Sequence, residues 1–273
     1  MIEKKISKFK DSLVFFDKNM HPAFGIKKIL FDGNSKFQKI QVAEFYGLGK
    51  GLILNGESQF FETDEELYHS SFVEPVLKNK VVEKILILGG GDGGVAREAL
   101  KHSIKEIKIV DIDERVTEVA KKYFKNFRKV FSNPKVKIIN QDAFHFVLNN
   151  DERFDVIFVD LTDFEIKESS RQVNRLYQIG FIKSVKKLLR KNGVLVYQIS
   201  GYYTYPEAVK HMRKVFKNVF KSSHVYGVFI PTFFDLWCFI AGSDKQMDLA
   251  ADKSSKMFNV FEITKKPEQV KTL

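Results

Sequence analysis

The chain has 273 residues, 44% of them hydrophobic, and a formal net charge of +11, so it can bury the core of one large domain or of a large and a small one. Its single cysteine, Cys238, excludes an internal disulfide and a cysteine-rich zinc site. No run approaches 18 uncharged apolar residues, and the N-terminus lacks a signal-peptide pattern. We therefore expect a cytoplasmic protein without a membrane partner.

The first part of the chain, residues 1–65, is predicted to form a small β-rich domain. Between residues 26 and 62, short segments of partial polar–apolar alternation are separated by Gly and Asn, which is typical of strands and tight turns. The segment TDEELYHSSFVEPVLKN follows, with acidic residues in its first turn, and predicts a helix. We place the start of a second domain, residues 66–273, within this helix.

From residue 84 onwards, apolar strands alternate with helical segments. The continuous apolar runs are typical of strands that are buried on both faces. They are KILILGG, EIKIVDID, VKIINQDAF, RFDVIFVDLTD, GVLVYQIS and FIAGS. This alternation predicts an α/β fold with a doubly wound, mostly parallel sheet. The last 30 residues are polar and weakly patterned, and we assign them no structure.

Acidic residues mark the ends of four successive strands. They are Asp92, Asp111, Asp142 and Asp160, with Asp163 shortly after the last. Ligands of open parallel sheets bind at the carboxyl ends of the strands, so we expect these carboxylates to share one crevice.

Two of these acids have specific predicted partners in an adenosine-containing ligand. Asp111 lies 22 residues after Gly89, a spacing typical of an acid that binds a ribose. Asp142 would suit an adenine amino group. Each could instead cap a helix, although Asp113 is the better cap candidate before ERVTEVA.

The turn GGGDGG, residues 89–94, indicates which adenosine ligand fits. It lacks both the GxGxxG order of dinucleotide sites and the Lys-Ser/Thr ending of triphosphate sites. The carboxylate of Asp92 would repel a pyrophosphate or the methionine carboxylate of S-adenosylmethionine, and it would attract an ammonium. Decarboxylated S-adenosylmethionine, a sulfonium with an aminopropyl arm, meets these requirements as a co-substrate, and we expect no metal.

Motifs along the chain resemble those of the polyamine aminopropyltransferases, the spermidine synthase family. The resemblance covers roughly residues 10–242. Its motifs are SKFQKI, LILNGESQFFETDEELYH, ILILGGGDGGVAREALKH, VDID, QDAF, DVIFVDLTD, VYQIS and IPTFFDLWCF. The resemblance implies a Rossmann-like domain of the class I methyltransferase kind after a small β-domain, assembled as a homodimer or homotetramer.

The resemblance also implies roles for individual residues. Asp160 would be the general base, Tyr68 would orient the reacting groups, and Asp163 would hold the acceptor amine. The donor would be bound by Gln38, Gln59, His69, Gly89, Asp92, Asp111, Asp142 and Ala143. The polyamine acceptor would also meet Gln198, Phe233 and Trp237. Putrescine, giving spermidine, is the expected acceptor.

The departures from the family pattern lie mainly on the acceptor side. The loop DLTDFEIKESSRQ has no Pro or Gly, the usual Gln-x-Glu-Ser reads Gln198-Ile-Ser-Gly, and the usual Pro-Thr-Tyr-Pro reads Pro231-Thr-Phe-Phe. Asp235, Glu165 and Glu168 are additional acids near this end. Cadaverine, agmatine and spermidine therefore stay open as acceptors.

Two other functions are compatible with this fold. One is an S-adenosylmethionine-dependent methyltransferase, which the charge of Asp92 disfavours. The other is a nucleic-acid-binding protein, suggested by the net charge of +11. Lysines are spread in ones and twos without a block of five, so a solvated basic surface is favoured over a nucleic-acid partner.

Overall fold

The computed structural model describes residues 12–14, 23–78, 80–161, 175–247, 249, 261–263 and 270–272. The chain divides into two units, Met1–Glu66 and Leu67–Leu273. In the described ranges, no helix has the length and apolar character needed to span a bilayer.

The N-terminal unit is a five-stranded antiparallel sheet in sequential order. Its strands are β1 (Ser12–Val14), β2 (Ala23–Asn34), β3 (Lys39–Phe45), β4 (Gly49–Leu54) and β5 (Glu57–Phe61). Asn55 and Gly56 join β4 to β5, and both have positive φ, as a two-residue type I′ hairpin requires. Ala43, Phe45, Ile53 and Phe61 form the apolar cluster of this unit.

The C-terminal unit contains a nine-stranded sheet in the order β14-β13-β11-β12-β10-β9-β6-β7-β8. Its strands are β6 (Lys84–Gly89), β7 (Glu106–Asp111), β8 (Val136–Asn140), β9 (Phe154–Asp160), β10 (Leu189–Gly201), β11 (Ser222–Ile230), β12 (Asp235–Ser243), β13 (Phe261–Ile263) and β14 (Val270–Thr272). Strands β6 to β10 pair in parallel, and the remaining pairs are antiparallel.

Within the described ranges, the α-helices are α1 (Glu65–Leu77), α2 (Gly94–Ala99), α3 (Glu114–Tyr123), α4 (Lys125–Phe131), α5 (Ala143–Leu148), α6 (Ile179–Lys187) and α7 (Pro206–Val219). Alternate residues of β6 face opposite sides of the sheet: Leu86 and Leu88 pack with α5, α6 and α7, whereas Ile85 and Ile87 pack with α1, α2 and α4. The predicted doubly wound α/β fold is confirmed.

Two sequence-based assignments differ from the structure. The segment QIGFIKSVKKLLRK, residues 178–191, has the pattern of one continuous helix, but the helix ends at Lys187, because Leu189 already pairs with Phe154 as the first residue of β10. The unassigned C-terminal region contributes β13 and β14, and β13 pairs with β11 at Tyr226 and Gly227. Three-residue strands are too short to carry a readable alternation.

The order of the sheet reverses between β6 and β9. From β6 the chain proceeds outwards through β7 and β8, and it then returns to place β9 on the other side of β6. Gly89 and Asp160 are register partners at the carboxyl ends of these two strands. Such a switch point is where open α/β sheets bind ligands.

Candidate active site

The glycine turn after β6 brings two strands into close contact. Gly89 has φ +81°, and a Cβ at this position would collide with the backbone oxygen of Asp160. The neighbouring Gly90 donates its N–H to that same oxygen at 3.1 Å. Only glycine combines a positive φ with such an approach, so the turn is fixed directly against the end of β9.

Asp92 lies in the middle of this turn and is held by the backbone of the next helix. Its Oδ1 accepts the Gly94 N–H at 2.6 Å and lies 3.8 Å from Nε2 of the buried His69. The imidazole packs on Gly94 where a Cβ would otherwise lie. The side chain of Asp92 is 15% exposed, so this carboxylate faces the crevice from a fixed position.

Asp160 is half-buried at the end of β9, and the Tyr68 hydroxyl on α1 donates a hydrogen bond to its Oδ1 at 2.8 Å. Burial raises the pKa of Asp160 to about 7, and the negative charges of Asp92 and Asp111 act in the same direction. The charge of His69 and the Tyr68 hydrogen bond oppose this rise. Asp160 can therefore exchange a proton near neutral pH.

One His and two Asp side chains form a compact group at this point. Ligand atoms of His69, Asp92 and Asp160 all lie within 4.8 Å of one another. Such a group can hold a cation, and both an ammonium and a metal ion would meet oxygen and nitrogen donors here. The sequence prediction that Asp92 and Asp160 share one crevice agrees with this geometry.

Asp111 at the end of β7 connects to the same turn. Its Oδ2 accepts the Gly91 N–H and its Oδ1 accepts the Asp113 N–H, both at 2.9 Å. Burial raises the pKa of Asp111 to about 6, although these two backbone hydrogen bonds lower it in part. The helix cap is Asp113, whose carboxylate accepts from Arg115 N, as the sequence favours.

Asp142 caps helix α5, a role that the sequence analysis kept as an alternative to binding adenine. Its Oδ1 accepts the Phe144 N–H at 2.7 Å, and its Oδ2 accepts from Arg175 Nη2 at 2.7 Å. The Arg175 guanidinium also lies 4.3 Å from the centre of the Phe144 ring. Ala143 is buried as the first residue of the helix. Sequence reasoning missed Arg175, because no local pattern links residues 33 positions apart.

The turn between β11 and β12 and the first residues of β12 form an aromatic wall beside Tyr68. The ring centre of Phe233 lies 4.6 Å from that of Trp237 and 6.1 Å from that of Tyr68. Gln198 donates from Nε2 to the Leu161 backbone oxygen at 2.7 Å, which anchors the residue that follows Asp160. The structure thus places Phe233 and Trp237 beside Tyr68, the hydrogen-bond partner of Asp160, and Gln198 against the residue that follows Asp160.

Asp235 is buried at the start of β12, and its carboxylate is engaged by the loop after β10. Oδ1 accepts the Tyr203 N–H at 2.9 Å, and Oδ2 accepts the Thr204 N–H at 2.8 Å together with the Thr204 hydroxyl. The sequence treated Asp235 as an additional acid for the acceptor. Its carboxylate accepts all of these hydrogen bonds and so stabilises the loop after β10.

The remaining predicted site residues lie in the N-terminal unit or outside the described residues. Gln38 and Gln59 belong to the N-terminal unit, where Gln38 N donates to Ser35 Oγ at 3.1 Å and Gln59 Nε2 donates to Glu57 O at 3.2 Å. Asp163, Glu165 and Glu168 lie outside the described residues. Their roles, and those of the two glutamines, stay predictions.

Comparisons with known proteins follow the same division of the chain. The description "Spermine/spermidine synthase domain" belongs to the family model that matches residues 65–253, and "Spermidine synthase tetramerisation domain" to the model that matches residues 14–62. A polyamine aminopropyltransferase of Hydrogenobaculum sp. is 38% identical over 78% of this chain and 75% of its own length. One from Aeropyrum pernix is 36% identical over 80% of this chain and 70% of its own length.

Solved structures give the same result. A spermidine synthase in complex with the transition-state analogue AdoDATO matches with a TM-score of 0.77 and 25% identity, over 86% of this chain and 80% of that one. The spermidine synthase of Thermotoga maritima matches to the same extent.

The parallel sheet with a carboxylate in its glycine turn and a carboxylate at the switch point defines a transferase of the Rossmann-like class. The chain belongs to the spermine/spermidine synthase family, and its activity is that of an aminopropyltransferase. The family predicted from the sequence motifs is confirmed.

Proposed function

We propose that this enzyme moves the aminopropyl group of decarboxylated S-adenosylmethionine to putrescine, giving spermidine, with Asp160 as the general base. The observation that supports the base most directly is the pKa of about 7 for a half-buried carboxylate that Tyr68 orients at 2.8 Å. The donor assignment is supported by the relatives, which are named aminopropyltransferases, and by Asp92 in the glycine turn.

The proposed step is a nucleophilic displacement at carbon. The acceptor nitrogen attacks the aminopropyl carbon that is bound to sulfur, and a nitrogen–carbon bond forms. The carbon–sulfur bond breaks, and its electron pair leaves with sulfur, which becomes the neutral thioether of 5′-methylthioadenosine. The proton of the nitrogen passes to Asp160. Because the sulfonium is already a good leaving group, this step needs positioning and a base.

The raised pKa of Asp160 matters because the acceptor enters as an ammonium. An alkylammonium has a pKa of about 10.4, far above that of an ordinary carboxyl at about 3.9. Raising the pKa of Asp160 to about 7 narrows this gap and makes proton transfer less unfavourable. Phe233 and Trp237 beside Tyr68 can meet the charged acceptor through cation–π contact.

On the donor side, three carboxylates have proposed partners. Asp92, beside His69, would bind the terminal ammonium of the aminopropyl arm. Asp111 would accept from the ribose hydroxyls, since a carboxylate has lone pairs left after two backbone hydrogen bonds. Asp142, with Ala143, would face the adenine. Gln38 and Gln59 stay predicted donor contacts, and Asp163 a predicted acceptor contact.

The assay that tests the function is a competition between amines. The purified protein is incubated with decarboxylated S-adenosylmethionine and equimolar putrescine, cadaverine, agmatine and spermidine, and the products are identified by mass. We expect spermidine as the main product. If another amine is aminopropylated instead, the proposed acceptor is wrong and the proposed reaction stands. Methylated products formed from S-adenosylmethionine would support the methyltransferase alternative.

Two variants on the same strand test the base. Asp160→Asn should lower kcat by about 10²- to 10⁴-fold, the usual contribution of a general base. Asp155→Asn is the matched control at the other end of β9, where Asp155 accepts from Glu83 N and Lys84 N, and it should keep full kcat. An Asp160→Asn variant that retains wild-type kcat would contradict the assignment.

Thermal unfolding shows whether the Asp160 variant is intact. The pKa of Asp160 in the folded protein exceeds the unfolded value of about 3.9, so folding stability falls as the pH rises between these values. Above about pH 7 the charged carboxylate carries its full burial cost. Asp160→Asn removes this charge, so its Tm at pH 8 should equal or exceed that of the wild type.

The oligomeric state is a second part of the proposal. The match of residues 14–62 to a tetramerisation domain supports a homo-oligomer, and we propose a homotetramer in preference to a homodimer. Light scattering coupled to size-exclusion chromatography distinguishes the two by mass, since one chain weighs 31.6 kDa.

A further inference from the structure

The segment of residues 179–221 is strongly basic. A second, shorter basic segment, residues 121–140, holds seven Lys and Arg residues and no acid. Residues 179–221 contain ten Lys and Arg residues and one acid, Glu207. The whole chain has 45 basic and 34 acidic residues, so the rest of it holds 35 against 33 in total.

Helices α6 and α7 carry these residues on one side of the catalytic sheet. Both helices pack their apolar residues into the same cluster, and Lys186 Nζ on α6 donates to the Val219 oxygen at the end of α7 at 2.7 Å. The side away from the sheet is lined by exposed lysines, which we call the α6–α7 face. They are Lys183, Lys187, Lys191, Lys210, Lys214, Lys217 and Lys221.

Few carboxylates neutralise the α6–α7 face. Glu207 lies 3.9 Å from Lys210, and Asp244 is engaged by Lys186. Arg190, in the turn after α6, pairs with Asp155. Across the described ranges, none of the other six lysines of the face has a carboxylate within ion-pair distance. A partner with regularly spaced negative charge would complement this surface.

The spacing of the lysines on α7 is suited to a linear polyanion. Lys210, Lys214 and Lys217 recur every three or four residues, so they follow one side of the helix over about 10 Å, and Lys221 lies two residues beyond its end. Duplex nucleic acid presents one negative charge per about 1.7 Å of its axis. A second copy of this face would be repelled, so charge disfavours self-association through it.

The composition of the face also distinguishes between polyanions. Its exposed side chains are lysines, and Ile179 at the start of α6 is an exposed large apolar residue at its border. Insertion into a membrane surface needs a continuous apolar side, and stacking on single-stranded bases needs exposed aromatic rings. On the helices α6 and α7, which the structure describes throughout, the lysines of the α6–α7 face have neither a continuous apolar side nor exposed aromatic rings between them. We propose that the α6–α7 face binds the phosphate backbone of duplex nucleic acid without reading its sequence.

The position of this surface would leave the active site accessible. Strand β10 begins at Leu189, close to the ends of α6 and α7, and reaches Gln198 beside the catalytic strand end about 30 Å away. Charges separated by more than about 8 Å are largely screened at physiological ionic strength. The α6–α7 face therefore does not repel a cationic substrate from the active site, and binding of a polyanion to this face should leave catalysis unchanged.

The test measures binding of the full chain to a fluorescein-labelled mixed-sequence DNA duplex of about 20 base pairs by fluorescence anisotropy at several salt concentrations. The face variant is Lys214→Gln/Lys217→Gln/Lys221→Gln. The matched control, Lys122→Gln/Lys125→Gln/Lys129→Gln, removes the same charge from exposed positions at the end of α3 and on α4, and α4 packs on the other side of the sheet.

We expect the wild type and the control to bind alike, and the face variant to bind at least about tenfold more weakly. The slope of log affinity against log salt should fall by about 2.7, or about 0.9 per lost phosphate contact. Aminopropyl transfer should be unchanged in both variants, so this test is independent of the proposed acceptor and base.

Three results would overturn the proposal. One is a wild type without salt-dependent binding, and another is an equal weakening in both triple variants, which would indicate net charge alone. The third is tight binding to phosphatidylserine vesicles that an excess of duplex fails to displace. Displacement by duplex would support the proposal.

Discussion

The donor side and the acceptor side of the active site are built in different ways. On the proposed donor side, Asp92 accepts from Gly94 and Asp111 accepts from Asp113, each two residues away in sequence, and Asp111 also accepts from Gly91 at the end of the adjacent strand. On the acceptor side, Asp235 accepts from Tyr203 and Thr204, more than 30 residues earlier. Local turns define the first region, and tertiary packing defines the second.

The two sides also differ in how far their buried polar atoms are satisfied. The donor-side carboxylates bond to backbone N–H groups. On the proposed acceptor side, Ser200 Oγ and Trp237 Nε1 are buried without a hydrogen-bond partner within the part of the chain that the structure describes. Arg175 Nε, beside Asp142, is a donor-side atom of the same kind. A buried polar atom left in this way costs about 1–3 kcal/mol. We expect substrate preference to vary most where such atoms are most numerous, on the acceptor side.

The largest expected effect that separates the two sides comes from Asp92→Asn. Losing a charge-assisted hydrogen bond of about 1.5–3 kcal/mol should raise KM for decarboxylated S-adenosylmethionine by about 10- to 100-fold, with KM for the amine unchanged. Steady-state kinetics with each substrate varied in turn checks this. Asp113→Asn, which keeps a good helix cap, is the control and should leave both constants intact. An equal rise in KM for the donor and KM for the amine in Asp92→Asn would contradict the assignment of Asp92 to the donor side.

Asp235→Ala tests the acceptor side from within the protein. It leaves the N–H groups of Tyr203 and Thr204 without their buried partner, so we expect a loss of about 2–3 kcal/mol in the free energy of unfolding. Tm should fall by about 5–10 °C, and KM for the amine should rise while KM for the donor stays. Asp244→Ala, which removes an exposed ion pair, is the control and should lower Tm by far less. A change confined to KM for the donor would contradict the stabilisation of the acceptor-side loop by Asp235.

The smallest effect is a shift in the pH dependence. The Tyr68 hydrogen bond lowers the pKa of Asp160, so Tyr68→Phe should move the acid limb of kcat/KM to higher pH. The charge of Asp92 raises the same pKa, so Asp92→Asn should move the limb to lower pH. Rate profiles between about pH 5 and 9 compare both variants with the wild type. Shifts in the same direction would mean that the limb reports another group.

The sequence predicted well what depends on local pattern. Buried strands such as β6, the Gly-rich turn and the acids at the strand ends could be read directly, because their neighbours in space are neighbours in sequence or ends of adjacent strands. The cap at Asp113 was also readable. The positions of Gln38 and Gln59 relative to the other site residues stay predictions.

What the sequence missed depends on distant contacts. Arg175 contacts Asp142 and Phe144, which precede it by 33 and 31 residues in the sequence. No periodicity or motif spacing predicts such a contact. Asp235 was predicted only as an additional acid near the acceptor end, because its partners Tyr203 and Thr204 lie more than 30 residues away in sequence. The lysines occur in ones and twos along the sequence, and only a count of acids shows that residues 179–221 carry an excess of positive charge. Helix packing then collects the exposed lysines of α6 and α7 on one surface.

The contact between Gly89 and Asp160 has a practical consequence for enzyme engineering. Since the Gly90 N–H bonds to the Asp160 oxygen, the glycine turn and the end of β9 are joined directly. Under the proposed function, redesign aimed at new amines would change β12 and the loop before α7 and leave this junction intact. Libraries would vary residues 202–204, 233, 234 and 237, with Asp235 and residues 89–94 held constant, because Asp235 accepts from the backbone of this loop.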